Sequence, residues 1–118
     1  MIGGKILEAV ELENTQTHER RTVQTPAVFS KIGAKPCTDW LSPEIERDEK
    51  GFIKTGHAVA CAPAWKNAAR APGPLETSRP GIFAAGDVRS GSVKRCAAAV
   101  GEGGTAVEGV HEVLRTYA

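Results

Sequence analysis

The chain has little surplus charge and no long apolar run. Fifteen Lys and Arg stand against 14 Asp and Glu, a formal net charge of +1. That balance gives no electrostatic reason to expect nucleic acid or an anionic membrane as a partner. No apolar stretch approaches the roughly 18 residues needed to span a bilayer. The opening Met1-Ile2-Gly3-Gly4-Lys5-Ile6-Leu7 lacks the basic region and long apolar stretch of a secretory signal, so a cytoplasmic location is expected. Three cysteines, Cys37, Cys61 and Cys96, form no C-x-x-C pair, and the odd number argues against a disulfide framework. His18, His57 and His111 lie far apart without ligand spacing, so no metal site is expected. No Ser-His-Asp or Cys-His arrangement can be assembled.

Aromatic residues are sparse, at 5%. Gly and Pro are not: 13 glycines and seven prolines give loops and close backbone contacts much of the chain. With 118 residues there is room for one small domain, which buries a smaller fraction of its surface than a larger one. Residues 5–13 alternate loosely around Ile6, Leu7, Val10 and Leu12, and a polar turn over 14–19 leads into Arg20-Arg21-Thr22-Val23. This pattern predicts a β-hairpin. After Pro26, residues 27–33 read as another strand ending in glycine, and Trp40-Leu41 as a short turn before Pro43. Residues 48–51 read as a turn, and Phe52-Ile53-Lys54-Thr55 as a brief strand. Between Gly56 and Ser78 periodicity disappears, and Pro63, Pro72, Gly73 and Pro74 punctuate a long connection.

The informative stretch begins at Arg79. Pro80-Gly81 is a turn signal, Ile82-Phe83-Ala84-Ala85 a short buried strand, and Gly86 a place of close backbone approach. Asp87 then puts a carboxylate just beyond the strand's carboxyl end, the edge at which open α/β sheets bind ligands. Ser92 is placed to cap a helix over about 93–115, roughly 33 Å long at 1.5 Å per residue. Val100, Val107, Val110, Val113 and Leu114 predict one buried face for it. Gly101, Gly103 and Gly104 each cost about 1 kcal/mol in an exposed helix, so they imply either close packing against another backbone or ligand, or a break at Gly103-Gly104.

Pro80-Gly81-Ile82-Phe83-Ala84-Ala85-Gly86-Asp87-Val88, with Lys94-Arg95 and a small-residue helix following, resembles the second FAD-binding motif of the pyridine nucleotide-disulfide oxidoreductases. The likeness is greatest to the thioredoxin reductase branch. It extends to Phe29, Ile32, Gly33, Pro36 and Thr38, similar to that family's "F-x-x-I-G-x-x-P-x-T". It extends also to Gly51-Phe52-Ile53-Lys54-Thr55, similar to its "G-[FY]-I-x-[TV]" strand, and to Thr77-Ser78 before Pro-Gly. The resemblance implies an α/β fold class: the C-terminal fragment of a Rossmann-like FAD/NAD(P)-binding domain, with a β-hairpin, short strands and one long C-terminal helix. Residues 1–25 would close the family's NAD(P)H-binding domain, and 26–118 would form the C-terminal portion of its FAD-binding domain.

The same resemblance implies FAD as cofactor. Asp87, after Gly86, would bond the ribityl chain, and Lys94, Arg95 and Cys96 occupy the positions that contact the flavin ring. A helix N-terminus and a cation there would stabilise the negative charge of a reduced flavin. Each position also has a plainer reading. Asp87 could close an Asx-turn, Lys94 and Arg95 could be solvated charges, and Cys96 a small apolar residue rather than a redox thiol. Arg89 reads as an exposed loop residue. Trp65 either covers the flavin or anchors its loop.

Lys31, in a strand expected to be buried on both faces, departs from the family pattern. Missing too are both Gly-x-Gly-x-x-Gly turns, the redox C-x-x-C and the central parallel strands. The expectation is therefore one wall of a flavin site, inactive alone, within a system that passes electrons from NAD(P)H to a disulfide. A homo-oligomer or a complementing flavoprotein subunit would complete it. The alternatives are a non-catalytic oligomerisation or partner-binding module, and a remnant fragment.

Overall fold

The computed structural model describes residues 1–117. It divides into two compact units, Met1–Gly33 and Ala34–Ala118. The first is a three-stranded antiparallel sheet in the order β1 (Ile2–Gly3), β2 (Leu7–Glu13), β3 (Arg20–Gln24). β2 and β3 form the expected hairpin, with Val10 opposite Val23 and Glu13 opposite Arg20. The polar turn closes it: Asn14 Oδ1 accepts bonds from the amides of Gln16 and Thr17, and His18 takes a left-handed φ of 59°. Across the strands Arg20 pairs with Glu11 and Glu13. Ala9 alone in this sheet is buried.

Residues 27–33 form no strand. A strand needs a hydrogen-bonding neighbour, and this segment finds none among the described residues. Phe29 and Ile32 are left 93% and 95% exposed.

The second unit is built from turns around two small cores. Ile45, Ile53 and Ala84 form one, with Leu41 and Val88 against them; Val59, Ala62 and Trp65 form the other. The expected strands at 52–55 and 82–85 shrink to isolated bridges, Ile53 with Arg47 and Arg89, and Phe83 with Glu76. The aperiodic connection is more ordered than its composition suggests. It holds a 3-10 turn at Gly56–Val59 and a one-turn helix α1 at Pro63–Lys66, with Pro63 in its first turn, where no amide donor is needed.

Trp65 anchors this connection. It is buried, donates Nε1–H to Thr77 O at 2.9 Å, and lies under the Arg70 guanidinium, 5.1 Å from the ring centroid. Glu76, only 1% exposed, is bound bidentately by Arg70 at 2.6 and 2.7 Å and by the amides of Gly73 and Gly81. Burial works to raise the Glu76 pKa, but the Arg70 bonds and the two amides outweigh it, and the net shift is downward. Ser78 Oγ donates to Glu44 O and accepts from Glu46 N, joining the segment before Pro80-Gly81 to residues 44–46.

The long helix α2 spans Cys96–Tyr117 without a break at Gly103-Gly104. It begins three residues later than the Ser92 cap predicts, because the Ser92 hydroxyl is bonded to Glu102 instead. Of the apolar face expected for it only Val113 turns inward. Val100, Val107, Val110 and Leu114 are exposed, Val100 by 77%, and the half-buried positions beside Val113 are Ala98, Ala99, Glu102, Gly103, Ala106 and Gly109. This is a helical face at three- and four-residue spacing, made largely of small residues. A Cβ added at Gly109 would lie 2.6 Å from Phe83 Cε1, so the ring sits directly on the helix backbone there. At Gly101, Gly103 and Gly104 an added Cβ would meet nothing within 4 Å. The close packing that three glycines implied thus falls on a fourth.

Candidate functional site

The site residues lie on one continuous piece of chain. Phe83-Ala84 run beside Leu75-Glu76, with Ala84 N donating to Leu75 O, and a 3-10 turn at Gly86–Val88 ends this extended segment. Gly86 takes φ +75° and is buried, and a Cβ there would stand 3.3 Å from the Ala99 methyl. Both facts favour glycine. The turn therefore seats on α2 while Asp87, the next residue, is exposed. No hydrogen bond to the Asp87 carboxylate is formed among the described residues, and no Asx-turn is closed.

Lys94 is exposed but not merely solvated. Its Nζ donates to Asp87 O at 2.6 Å and Arg89 O at 3.1 Å, and stands 4.3 Å from the centroid of the Phe52 ring. The ammonium thereby satisfies two carbonyl acceptors of the turn. Arg95 is exposed and bonds the carbonyl of Lys94. Cys96, the first residue of α2, is an exposed free thiol rather than a buried apolar one. The first-turn amides of α2 have no acceptor in a preceding helical turn, leaving partial positive charge at this end. Gly86, Asp87, Lys94, Arg95 and Cys96 thus share one loop-and-helix corner, with the Asp87 carboxylate as its open acceptor.

Two residues organise this corner that the linear sequence did not single out for it. Arg89, expected in solvent, is only 20% exposed in its side chain and grips Glu102, itself 16% exposed, through Nε at 3.1 Å and Nη2 at 2.5 Å. Glu102 also accepts Gly86 N–H at 2.7 Å and the Ser92 hydroxyl at 2.9 Å. The Arg89 bond, with the Gly86 and Ser92 bonds adding to it against the effect of burial, holds the Glu102 carboxyl down at about 2. Arg89 is raised in turn, chiefly by its bond to Glu102. A signal was present: Glu102 is the lone charge on the small-residue face of α2. Below the corner, Ser90 Oγ donates to Asp48 Oδ2 at 2.7 Å and lowers the Asp48 pKa.

Beside the extended segment lies an apolar cleft of about 470 Å³, with Leu41, Ile45, Ile53, Ile82, Ala84 and Val88 in its lining. Among the described residues there is no group of three or more metal-ligating side chains. Nor, among them, is any helix long and apolar enough to cross a membrane.

No protein-family model matches the chain. Curated relatives do. It is 34% identical over 100 residues to the thioredoxin reductase of Yarrowia lipolytica, covering 85% of this chain and 27% of that protein. It is 35% identical over 101 residues to the thioredoxin reductase of Chlamydia pneumoniae, covering 86% and 28%. The crystal structure of thioredoxin reductase from Streptococcus pyogenes superposes with a TM-score of 0.62 at 30% identity, covering 98% of this chain and 33% of that one. The chain is thioredoxin reductase-like.

This thioredoxin reductase-like chain spans between a quarter and a third of the length of the proteins it matches. Its fold is α/β and corresponds to part of a Rossmann-like FAD/NAD(P)-binding architecture.

Proposed function

We propose that the chain is the C-terminal FAD-binding segment of a flavin-dependent oxidoreductase that, when complete, carries electrons from NAD(P)H to a disulfide. Residues 26–118 contribute one wall of the FAD site, and the hairpin of residues 1–25 closes an NAD(P)H-binding domain. The observation that carries the proposal is the corner at Gly86-Asp87. A buried, positive-φ glycine seats the turn on α2, and it leaves an exposed carboxylate near the electropositive start of that helix.

The residues present fit one end of the cofactor. Asp87 offers an acceptor to the hydroxyls of a ribityl chain. The first turn of α2 and the cations Lys94 and Arg95 favour negative charge on a flavin ring lying beside Cys96. Bound FAD supplies the hydride and electron chemistry; the chain's own residues bind and orient. Nothing here cradles a pyrophosphate, since no Gly-x-Gly-x-x-Gly turn is present. The segment is therefore inactive alone, and a homo-oligomer or a complementing flavoprotein subunit completes the site.

Titration of the purified chain with FAD, followed by flavin fluorescence and by absorbance after desalting, tests this. Retained, quenched flavin is expected, weakened at least ten-fold by Asp87→Ala. Absence of binding at tens of micromolar FAD, with or without a complementing subunit, refutes it.

A second reading, a non-catalytic oligomerisation or partner-binding module, draws on the exposed Val100, Val107 and Leu114 of α2. Its mark is a defined oligomer that forms without flavin, measured by light scattering after size exclusion.

A further inference from the structure

We infer that Glu102 is a positioning residue for FAD, acting through the Gly86 amide and Arg89 without touching the cofactor. This inference rests on the FAD-binding role given above. The loop 86–92 carries Asp87 at its outer bend, and both its ends are tied to one carboxylate: Gly86 N–H at 2.7 Å from Glu102 Oε2, and Ser92 Oγ at 2.9 Å from Oε1. Arg89, in the middle, spans both oxygens through Nε and Nη2. Glu102 stands on the face of α2 that packs inward, between Ala99, which faces Gly86, and Gly109, which faces Phe83.

The helix therefore dictates where the loop lies. Four donors converge on one side chain from amide, hydroxyl and guanidinium. Charge-assisted bonds of this type are the strong ones, and they fix direction as well as distance. Lys94 restrains the same turn by binding the carbonyls of Asp87 and Arg89. With the backbone held on both flanks, the Asp87 side chain is the part of the turn left for a ligand.

The test uses the full chain. FAD affinity by flavin fluorescence is measured together with hydrogen exchange at the Gly86 amide by NMR, for wild type, Glu102→Ala and Glu102→Gln. Trp65→Phe serves as a variant destabilised elsewhere. Glu102→Ala is expected to bind FAD at least ten-fold more weakly and to exchange the Gly86 amide at least ten-fold faster. Glu102→Gln, which keeps one carbonyl oxygen for Gly86, should fall between it and wild type. Trp65→Phe should lower the denaturation midpoint and leave FAD affinity within two-fold, separating positioning from stability.

A mere charge effect has the opposite sign, because removing a carboxylate near an anionic cofactor would tighten binding in both Glu102 variants. Equal or tighter binding by Glu102→Ala overturns the inference, as does an unchanged Gly86 exchange rate. If the wild type binds no FAD, the functional proposal for the isolated chain falls. The exchange data then decide the loop's restraint on their own: faster exchange across residues 86–92 in Glu102→Ala upholds it, and unchanged exchange removes it.

Discussion

Replacing glycine by alanine at two positions of α2 should have opposite effects, and the sign of each follows from what lies above the backbone. In an open helix the change gains about 1 kcal/mol, because alanine loses less backbone freedom on folding. Gly103 and Gly104 meet nothing within 4 Å, so Gly103→Ala and Gly104→Ala should each stabilise the isolated chain by about that amount. At Gly109 the new methyl would fall 2.6 Å from Phe83 Cε1 and 3.3 Å from Cζ, inside the contact distance of carbon atoms. The ring must tilt away. Its neighbour Ala84 belongs to the core with Ile45 and Ile53, so the tilt is resisted. Overpacking of this kind costs about 1–3 kcal/mol, which cancels the helix gain and leaves a net loss of about 1 kcal/mol. Urea denaturation followed by far-UV circular dichroism reads both signs on one scale. A midpoint for Gly109→Ala that rises as far as that for Gly103→Ala would show that α2 does not rest on Phe83, and the seating of the Gly86 turn on the same helix would lose its support.

Two further perturbations test the anchors of the second unit. Trp65→Phe keeps a six-membered ring but loses the pyrrole half of the indole and its Nε1–H bond to Thr77 O in a buried place, and should cost about 1–3 kcal/mol by the same denaturation assay. Glu102 has a pKa of about 2 against an ordinary 4.5, so its contribution to stability is complete above pH 4.5 and drains away as the pH falls toward 2. The wild type should therefore lose about 1–2 kcal/mol more than Glu102→Gln between pH 6 and pH 3, after allowance for the partial exposure of the pair. Parallel pH dependences in the two proteins would contradict the tight Arg89–Glu102 pairing.

What could be read from the residue order was whatever is decided within a few residues. Alternating apolar residues flanking the polar turn at Asn14 specify the β2–β3 hairpin, because both strands and their connection are local. Pro80-Gly81 and Gly86-Asp87 mark turns for the same reason. The strand at 27–33 and the fuller strands at 52–55 and 82–85 were expected from composition, but a strand is a relation between segments. Ile53 and Phe83 find only single bridging partners, and residues 27–33 none among the described residues. Glu102 and Arg89 lie 13 residues apart, and no short-range pattern links them. Glu76 was hidden differently: its ligands Arg70, Gly73 and Gly81 straddle it in a segment without periodicity.

The two faces of α2 follow from the same distinction. Small residues at 99 and 109 let the turn at Gly86 and the ring of Phe83 approach the helix closely. The branched residues Val100, Val107 and Leu114 do not serve this contact and are exposed. An exposed valine costs helix stability relative to alanine without returning burial, and glycines at 101, 103 and 104 cost more. Under the proposed function both fit a helix whose inner side serves Phe83 and Gly86 and whose outer side, with Gly101 and Gly104, would meet a completing polypeptide. If the proposed function holds, the stabilising effect expected of Gly104→Ala in the isolated chain should turn into weaker association with a completing polypeptide.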